Sequence, residues 1–174
     1  MDTERDTKEL FECYADMIYR IGISYGSSVH FAEDVVQEVF LRYLKKRPRF
    51  ENAGHEKAWF IRVAVNCCKS MLSSAWIKRV CPLEEAQEIA VPFREQEECE
   101  LYEELSGLPA KYRIVLYLRY YEEYQVKEIA AFLGITPNLV SARLLRAKKL
   151  LKQKFLQQEL ITKKEGFRDE TGIV

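Results

Sequence analysis

The chain of 174 residues is 48% hydrophobic and 31% charged, and its 27 Lys and Arg residues balance 27 Asp and Glu residues. This composition is typical of a folded chain with one medium domain or two small ones, and it excludes a disordered protein. Charges interrupt every apolar run before about 18 residues and the acidic N-terminus has no apolar stretch, so we expect no membrane insertion, no secretory signal and a cytoplasmic location.

Three amphipathic helices are predicted in the first half of the chain, from Thr7 to about Tyr25, from about Ala32 to Arg47 and from about Glu56 to Ser74. Apolar residues recur along them at the three- and four-residue spacing of one helical face. The second helix ends before Pro48, because proline cannot continue a helix, and a loop follows as far as Gly54.

The third helix carries two faces. One is apolar and is expected to lie in the core; it comprises Phe60, Ala64, Cys67, Cys68 and Met71. The other comprises Trp59, Arg62, Asn66, Lys69 and Ser70, with His55 one turn before them. An exposed tryptophan can stack on an unpaired base while cations hold phosphates and an amide reads a base edge, so this face suits single-stranded nucleic acid. Alternatively, Trp59 packs on a neighbouring helix and the charges are solvated surface.

The second helix presents Asp34, Gln37, Glu38 and Leu41 on its outward face. An acidic surface with one apolar residue can bind a basic partner, although a solvated helix face explains the pattern equally well. Asp34 and Glu38 also form the one carboxylate pair that would suit an enzyme. No nucleophile–base pair or metal-ligand set accompanies them, so catalysis is not expected.

The zero net charge conceals an uneven distribution. Residues 1–80 carry a net charge of +2, residues 81–106 of −8 and residues 107–174 of +6. The acidic stretch from Cys81 to about Glu98 contains two prolines and is predicted to link two units. The neutral average does not argue against a polyanionic partner, because such a partner meets the local charge.

The second unit starts near Cys99 and is predicted to be a helix-turn-helix. The predicted elements are a turn at Gly107–Pro109, helices Ala110–Tyr121 and Gln125–Leu133, and a long helix from Pro137 to Phe155. The tail after about Leu160 is expected to be frayed. Gly134 permits the positive φ of a tight interhelical turn, and Thr136 can cap the long helix.

The long helix has an apolar face and a basic face. Val140, Leu144, Ala147 and Leu151 should pack on Ile129 and Leu133, whereas Ser141, Ala142, Leu145, Arg146 and Lys149 point away, flanked by Arg143, Lys148, Lys152 and Lys154. A DNA major groove admits one such helix, whose cations hold phosphates. This face is therefore predicted to read duplex DNA; a solvated basic helix of a bundle is the alternative.

Cysteines and histidines do not indicate a metal site or a cofactor. The cysteine count is odd, there is no Cys-x-x-Cys motif, and His30 and His55 lack the spacing of paired ligands. The cysteines are expected to be buried or half-buried thiols that act as small apolar side chains: Cys13, Cys67, Cys68, Cys81 and Cys99.

Three motifs follow one another along the chain. They are Ala32–Phe40 (AEDVVQEVF), Lys57–Asn66 (KAWFIRVAVN) and Leu105–Arg119 (LSGLPAKYRIVLYLR), the last continuing through Glu128-Ile-Ala to Arg143–Ala147. Together they resemble bacterial RNA polymerase sigma factors of the sigma-70 family, in its extracytoplasmic-function (ECF) group. The resemblance implies an all-α chain of two small helical domains. These are region 2 at residues 7–79 and the region 4 helix-turn-helix at 99–156, with an acidic linker at 80–98 and a tail at 157–174.

The resemblance also implies roles for the predicted faces. The β′ coiled coil of core RNA polymerase would bind Asp34, Gln37, Glu38 and Leu41. The melted minus-10 promoter element would bind Arg49, Phe50, Asn52, Trp59, Arg62, Asn66 and Lys69. The minus-35 duplex would bind Asn138, Ser141, Ala142, Arg143, Leu145, Arg146 and Lys149, although the family more often has a cation and a serine at positions 141 and 142. Further expected partners are the polymerase β flap and an inhibitory anti-sigma factor.

The resemblance thus predicts a dissociable promoter-specificity subunit without catalytic activity. Its acidic linker would thread toward the polymerase active-site and RNA-exit channel, where Glu95, Glu97 and Glu98 would keep out stray polyanions. The alternative function is a stand-alone helix-turn-helix transcriptional regulator, which needs no polymerase-binding face and no Trp59 surface within residues 32–70.

Overall fold

The computed structural model describes residues 6–26, 28–73, 105 and 107–170, and the side chains among them as far as Leu160. Its helices are α1 (Thr7–Gly26), α2 (Val29–Lys46), α3 (Ala53–Ser73), α4 (Ala110–Leu116), α5 (Val126–Leu133) and α6 (Pro137–Glu170). A π-helical turn, Tyr117–Tyr121, continues α4. No strand occurs in the described ranges, and the predicted all-α fold is confirmed. We refer to α1–α3 as the N-terminal module and to α4–α6 as the C-terminal module.

Helices α2 and α3 each begin three residues before their predicted starts, because polar side chains cap them. The Ser28 hydroxyl accepts the N–H of Phe31 at 3.4 Å, and the Asn52 side-chain oxygen accepts the N–H of His55 at 2.8 Å. These acceptors satisfy N–H groups that a first helical turn leaves unpaired. The loop predicted to reach Gly54 therefore ends at Asn52.

Phe60 is the centre of the N-terminal module. Its side chain is 0% exposed, and its ring lies 4.6 Å from Tyr14 of α1 and 5.6 Å and 5.7 Å from Phe40 and Tyr43 of α2, between ring centroids. One ring thus contacts both neighbouring helices, and the aromatic contacts add specific geometry to the burial of apolar area.

Two glycines allow α1 and α2 to approach each other closely. A Cβ atom on Gly22 would lie 2.8 Å from the Cα of Ala32, and one on Gly26 would lie 2.1 Å from the ring of Phe31. No side chain fits at either position without moving the backbone or a buried ring. The break predicted at Gly26 is thus also a packing site.

The helix-turn-helix of the C-terminal module is confirmed. Helices α5 and α6 meet at a bend of 104°, and Gly134 between them has the positive φ of 65° that glycine adopts without strain. The Thr136 hydroxyl accepts the N–H of Leu139 at 3.2 Å and caps α6 as predicted. Most of the predicted inward residues are buried, and Leu151 is half-buried. The buried ones are Ile129, Leu133, Val140, Leu144 and Ala147.

The helix predicted over Ala110–Tyr121 has the observed bounds, but its second half, Tyr117–Tyr121, is π-helical. It is α-helical only as far as Leu116, and the turn that follows is wider, with the N–H of Glu122 donating to the Tyr117 carbonyl at 3.1 Å. The extra residue in this turn stacks the rings of Tyr117 and Tyr121, whose centroids lie 5.3 Å apart.

Helix α6 continues without a break to Glu170, so the fraying predicted after about Leu160 is not observed. The boundary between residues 156 and 157 stays a prediction. The sequence between Pro137 and Gly166 contains no proline or glycine, so no helix-breaking residue interrupts α6 there. Among the described helices, no single one is long and apolar enough to cross a membrane. The bent pair Val126–Leu133 and Pro137–Leu160 reaches that length and apolar composition only when its two helices are taken together.

The two modules pack against each other. Helix α1 contacts α4, and α3 contacts α5, so the first and third helices of the N-terminal module form the contact surface. The predicted acidic linker at 80–98 lies outside the described residues. The proposed boundaries of the modules at residues 79 and 99 lie there as well.

Replacing Phe60 with alanine is expected to lower the free energy of unfolding by about 3–5 kcal/mol, because the substitution removes a buried ring and leaves a cavity. Urea denaturation followed by circular dichroism measures the change. The control Leu156→Ala, at an exposed position of α6, should change the free energy by less than about 0.5 kcal/mol. Equal effects of the two substitutions would contradict the assigned core.

Candidate nucleic-acid interface

Helix α3 presents a polar surface on the side away from the bundle core. Arg62, Asn66 and Lys69 are exposed and follow one another at three- and four-residue spacing, whereas Cys67 and Cys68 are buried. The two faces predicted for α3 are therefore separated as expected. Two cations and an amide along one face can hold phosphates and reach a base edge of a nucleic-acid strand.

Trp59 is half-buried, so the expectation of an exposed tryptophan is wrong in part. Its ring meets Phe60 edge-on at 5.1 Å, Phe50 at 5.9 Å and Tyr43 of α2 at 6.1 Å. The contact with Tyr43 agrees with the alternative expectation from the sequence, in which Trp59 packs on a neighbouring helix. A ring held by three others keeps one orientation, which reduces the entropy that stacking on a base would cost.

The loop before α3 brings further predicted residues to the same end of the helix. Phe50 is half-buried against Trp59, and the Asn52 side chain is bound to the first turn of α3. Arg49 is exposed beside them. Lys69 lies farther away, because ten residues of helix separate it from Trp59 by about 15 Å. The predicted minus-10 residues therefore form one line along α3 and its preceding loop.

The outward face of α2 is more structured than the sequence suggested. Gln37 and Leu41 are exposed, whereas Asp34 and Glu38 are half-buried. Glu38 accepts the Nε–H of Arg42 at 2.8 Å, and this hydrogen bond raises the pKa of the arginine. A basic partner that binds Glu38 must therefore share it with Arg42 or displace it.

An apolar extension of this face was not predicted. Phe11 of α1 is 50% exposed and its ring lies 5.0 Å from Phe40, while Leu44 is exposed one turn beyond Leu41. The sequence could have indicated these exposed residues, because Phe11 and Leu44 lie outside the apolar faces of their own helices. These two side chains add apolar area to a surface that is otherwise polar.

The outward face of α6 matches its prediction in exposure. The side chains of Asn138, Ser141, Ala142, Leu145, Arg146 and Lys149 are exposed, and Arg143 is half-buried. Leu145 is 73% exposed and lies between cations. An apolar side chain in that setting can contact a thymine methyl group while its neighbours hold phosphates, so the face has the composition of a major-groove reader.

Known protein families match both modules. Residues 10–77 match the family described as "Sigma-70 region 2", and residues 100–151 match the family described as "Sigma-70, region 4". The chain belongs to the sigma-70 family. Region 2 corresponds to the N-terminal module, and region 4 to α4, α5 and the first part of α6.

Individual relatives agree with this membership and with the ECF group. The chain is 28% identical to the RNA polymerase sigma factor SigV of Bacillus subtilis strain 168 over 165 residues, which cover 92% of this chain and 99% of SigV. It is 26% identical to the ECF sigma factor SigW of the same strain over 161 residues, which cover 83% of this chain and 86% of SigW. The fold is similar to that of RpoE from Bartonella quintana, solved with the anti-sigma factor NepR, with a TM-score of 0.68 and 20% identity over 86% of this chain and 96% of RpoE.

Lys69 connects the region 2 surface to region 4. Its ammonium group donates to the carbonyl of Leu133, the last residue of α5. Burial lowers the pKa of Lys69, and the positive charge of Arg143 on α6 lowers it further. Two cations that are predicted to bind different promoter elements thus lie near each other in this sigma-70 chain.

A buried carboxylate joins the two regions. Glu122 follows the π-helical turn of region 4, and its side chain is only 8% exposed. One of its oxygens lies 2.6 Å from the Lys57 ammonium of α3, and the other accepts the hydroxyl of Tyr117 at 2.6 Å. Burial and the charge of Glu122 raise the pKa of Tyr117 well above its ordinary value and that of Tyr124 to about 12.

Arg113 of α4 forms a second polar contact between the regions. It is 7% exposed, its Nε donates to the carbonyl of Ser24 at 3.0 Å, and its Nη1 donates to the carbonyl of Leu108 at 2.6 Å. Arg20 of α1 lies 4.6 Å above the ring of Tyr121. The sequence did not predict the contacts of Arg113 with Ser24 and of Arg20 with Tyr121, because these residues are far apart along the chain.

The described cysteines fall into two classes. Cys67 and Cys68 are buried as expected, whereas Cys13 is exposed, contrary to the expectation. Burial raises the pKa of Cys67 to about 11 and that of Cys68 still further. Within the described part of the chain, no group of three or more His, Cys, Asp and Glu side chains is placed to hold a metal ion.

N-ethylmaleimide near neutral pH is expected to modify Cys13 in the folded protein and to leave Cys67 and Cys68 unmodified. The raised pKa values keep both buried thiols protonated, and the thiolate is the form that reacts. Mass spectrometry of tryptic peptides measures the modification at each cysteine. All three thiols should react once urea unfolds the chain; rapid modification of Cys67 or Cys68 before unfolding would contradict their assigned burial.

Proposed function

We propose that the chain acts as an ECF sigma factor: it binds core RNA polymerase, directs the enzyme to specific promoters and helps to melt the minus-10 element. The observation that carries this function is the presence, in one sigma-70 chain, of the aromatic and cationic surface of α3 together with an exposed basic helix-turn-helix. A stand-alone regulator would use only the second of these surfaces.

The proposed minus-10 site combines stacking with charge. A base that leaves the duplex loses its stacking and pairing, which costs a few kcal/mol that the protein must offset. Trp59 and Phe50 offer aromatic surface for such a base, Asn66 offers an amide for its edge, and Arg62 offers a cation for the adjoining phosphate. Arg49, Asn52 and Lys69 complete the proposed site at its two ends.

The proposed minus-35 site is the outward face of α6. Asn138, Ser141 and Ala142 lie in its first turns, where a recognition helix contacts base edges. Leu145 and Arg146 follow on the same face, and Arg143 and Lys149 supply charge for the phosphates. The small side chains at 141 and 142 leave room for close approach but contribute no cation.

Core polymerase is the proposed partner of the α2 face. Asp34, Gln37 and Glu38 provide acidic and polar contacts for the β′ coiled coil, and Leu41 provides an apolar one that Phe11 extends. Region 4 would bind the β flap. An anti-sigma factor is a further proposed partner, which is the class of protein that binds RpoE in the complex with NepR.

Several features of the proposal lie outside these surfaces. We propose that the chain catalyses no reaction itself, requires no cofactor and works in the cytoplasm beside its polymerase. The net charge of −8 over residues 81–106 supports an acidic linker that threads into the polymerase channel. Neutralising Glu95, Glu97 and Glu98 together should then reduce initiation without affecting core binding.

The contact between regions 2 and 4 bears directly on this function. The ammonium of Lys69 donates to the Leu133 carbonyl and cannot hold a promoter phosphate in the same position. We therefore propose that the regions separate when the chain binds core polymerase and promoter DNA. The charged groups in the contact support this separation, because they can regain hydrogen bonds to water when the regions part.

Run-off transcription tests the proposed function. Core polymerase, the purified chain and fragmented genomic DNA should produce transcripts from a limited set of start sites that core polymerase alone does not produce. Aligned upstream sequences would then give the promoter elements. A chain that binds promoter duplex tightly alone but neither binds core polymerase nor changes the transcripts is a stand-alone regulator, and the proposed function fails.

Replacing Asn66 with alanine should reduce open-complex formation by about tenfold or more while leaving core binding unchanged, because one base-edge contact is worth about 1–3 kcal/mol. Permanganate footprinting of the minus-10 region measures opening. The control Lys111→Ala removes an exposed cation of α4 that is outside the proposed site. Loss of core binding by the Asn66 variant would instead mean that the amide is structural.

Replacing Glu122 with glutamine should weaken the contact between the regions, because the side chain keeps its size but loses its charge opposite Lys57. Small-angle X-ray scattering of the free chain should then give a larger radius of gyration. The neighbouring Glu123→Gln is the matched control, since Glu123 is exposed. Identical scattering from both variants would show that Glu122 does not hold the regions together.

A further inference from the structure

Two hydrogen bonds between side chains and backbone join the first turn of α3 to the preceding loop. The Asn52 side-chain oxygen accepts the N–H of His55 at 2.8 Å, and the Nδ1 atom of His55 accepts the N–H of Glu51 at 3.4 Å. The arrangement resembles a capping box, in which Glu or Gln normally occupies the third helical position. Here a histidine fills that position and reaches back into the loop.

The close approach of Asn52 to the helix also involves a glycine. A Cβ atom on Gly54 would lie 3.2 Å from the Asn52 side-chain oxygen, which is tighter than ordinary contact. The absence of a side chain at position 54 therefore leaves Asn52 free to reach the N–H of His55. The sequence predicted that Gly54 lies in the loop, whereas it lies in the first turn of α3.

The imidazole of His55 also contacts the aromatic part of the loop. Its ring meets Phe50 edge-on, with 5.8 Å between the ring centroids, and Phe50 in turn meets Trp59 at 5.9 Å. His55 thus contacts the loop twice, once through the backbone of Glu51 and once through the side chain of Phe50. Phe50 and Asn52 flank Glu51 in the loop, and both belong to the proposed minus-10 site.

We propose that His55 is a positioning residue for minus-10 capture: its Nδ1 acceptor holds the loop of residues 49–52 in the conformation that receives the unpaired base. The inference rests on the proposed function of this loop. A loop that is ordered before binding loses less conformational entropy when it closes on a base than one that must become ordered at that moment. His55 itself need not touch the DNA, because its ring is engaged with the loop.

Three substitutions separate the two contacts of His55. His55→Gln retains a side-chain acceptor at a capping-box position but loses the ring, and His55→Phe retains a ring beside Phe50 but loses the acceptor. His55→Ala loses both. His55 lies at the DNA surface and outside the α2 face proposed to bind polymerase, so core binding should equal that of the wild type in all three variants.

The test measures open-complex formation by holoenzyme made with each full-length variant, on a promoter mapped with the wild-type chain. We expect His55→Ala and His55→Phe to reduce opening roughly tenfold through loss of pre-organisation, and His55→Gln to restore most of it. Discrimination between the mapped minus-10 element and a version with its bases substituted should fall in the same order. Core affinity and the thermal midpoint of each variant are measured in parallel.

Wild-type opening by His55→Ala would overturn the inference, as would rescue by His55→Phe but not by His55→Gln. A decrease in core affinity that matches the decrease in opening would also overturn it, because the histidine would then support the fold of region 2 alone. These results differ from a failure of the proposed function, in which the wild-type chain itself would direct no initiation from any promoter.

Discussion

The polar contact between regions 2 and 4 is the constraint on which the rest of this structure depends. Buried charge helps to hold the two regions together: Arg113 donates to the carbonyl group of Ser24, and Glu122 pairs with Lys57. Such groups find partners in water once the regions part. Buried apolar residues of both regions also belong to one hydrophobic cluster, so separation has to expose apolar surface as well, and core polymerase and promoter DNA have to supply that free energy. Lys69 contacts region 4 in the closed arrangement and is proposed to contact DNA in the open one, and the two states therefore compete for the same side chain.

The aromatic cluster around Phe60 gives region 2 a closely packed core of its own. Phe60 contacts rings from α1 and α2, and Trp59 beside it is held by Phe50 and Tyr43. A base-capture surface built on such a core needs little reordering when DNA arrives, and separation of the regions would uncover the surface as a unit. Rigid modules joined by a reversible contact suit a subunit that must associate with polymerase and leave it again.

Helical periodicity predicted most of the fold and the candidate surfaces, because a face defined by three- and four-residue spacing is a local property of the chain. The separation of Arg62 and Asn66 from the buried Cys67 followed from that spacing alone. Long-range and side-chain-to-backbone bonds could not be predicted in this way. Arg113 and Ser24 are 89 residues apart, the early start of α3 depends on the Asn52 cap, and the half-burial of Trp59 depends on Tyr43 of another helix.

Energy transfer between the two regions tests the central claim most directly. Donor and acceptor dyes, attached through unnatural amino acids at the exposed positions Glu12 of α1 and Gln157 of α6, report the separation of regions 2 and 4 in the full chain. We predict efficient transfer in the free protein and a clear fall in efficiency when core polymerase and promoter DNA are added. Unchanged transfer in a complex that initiates transcription would contradict the competition between the closed arrangement and promoter binding.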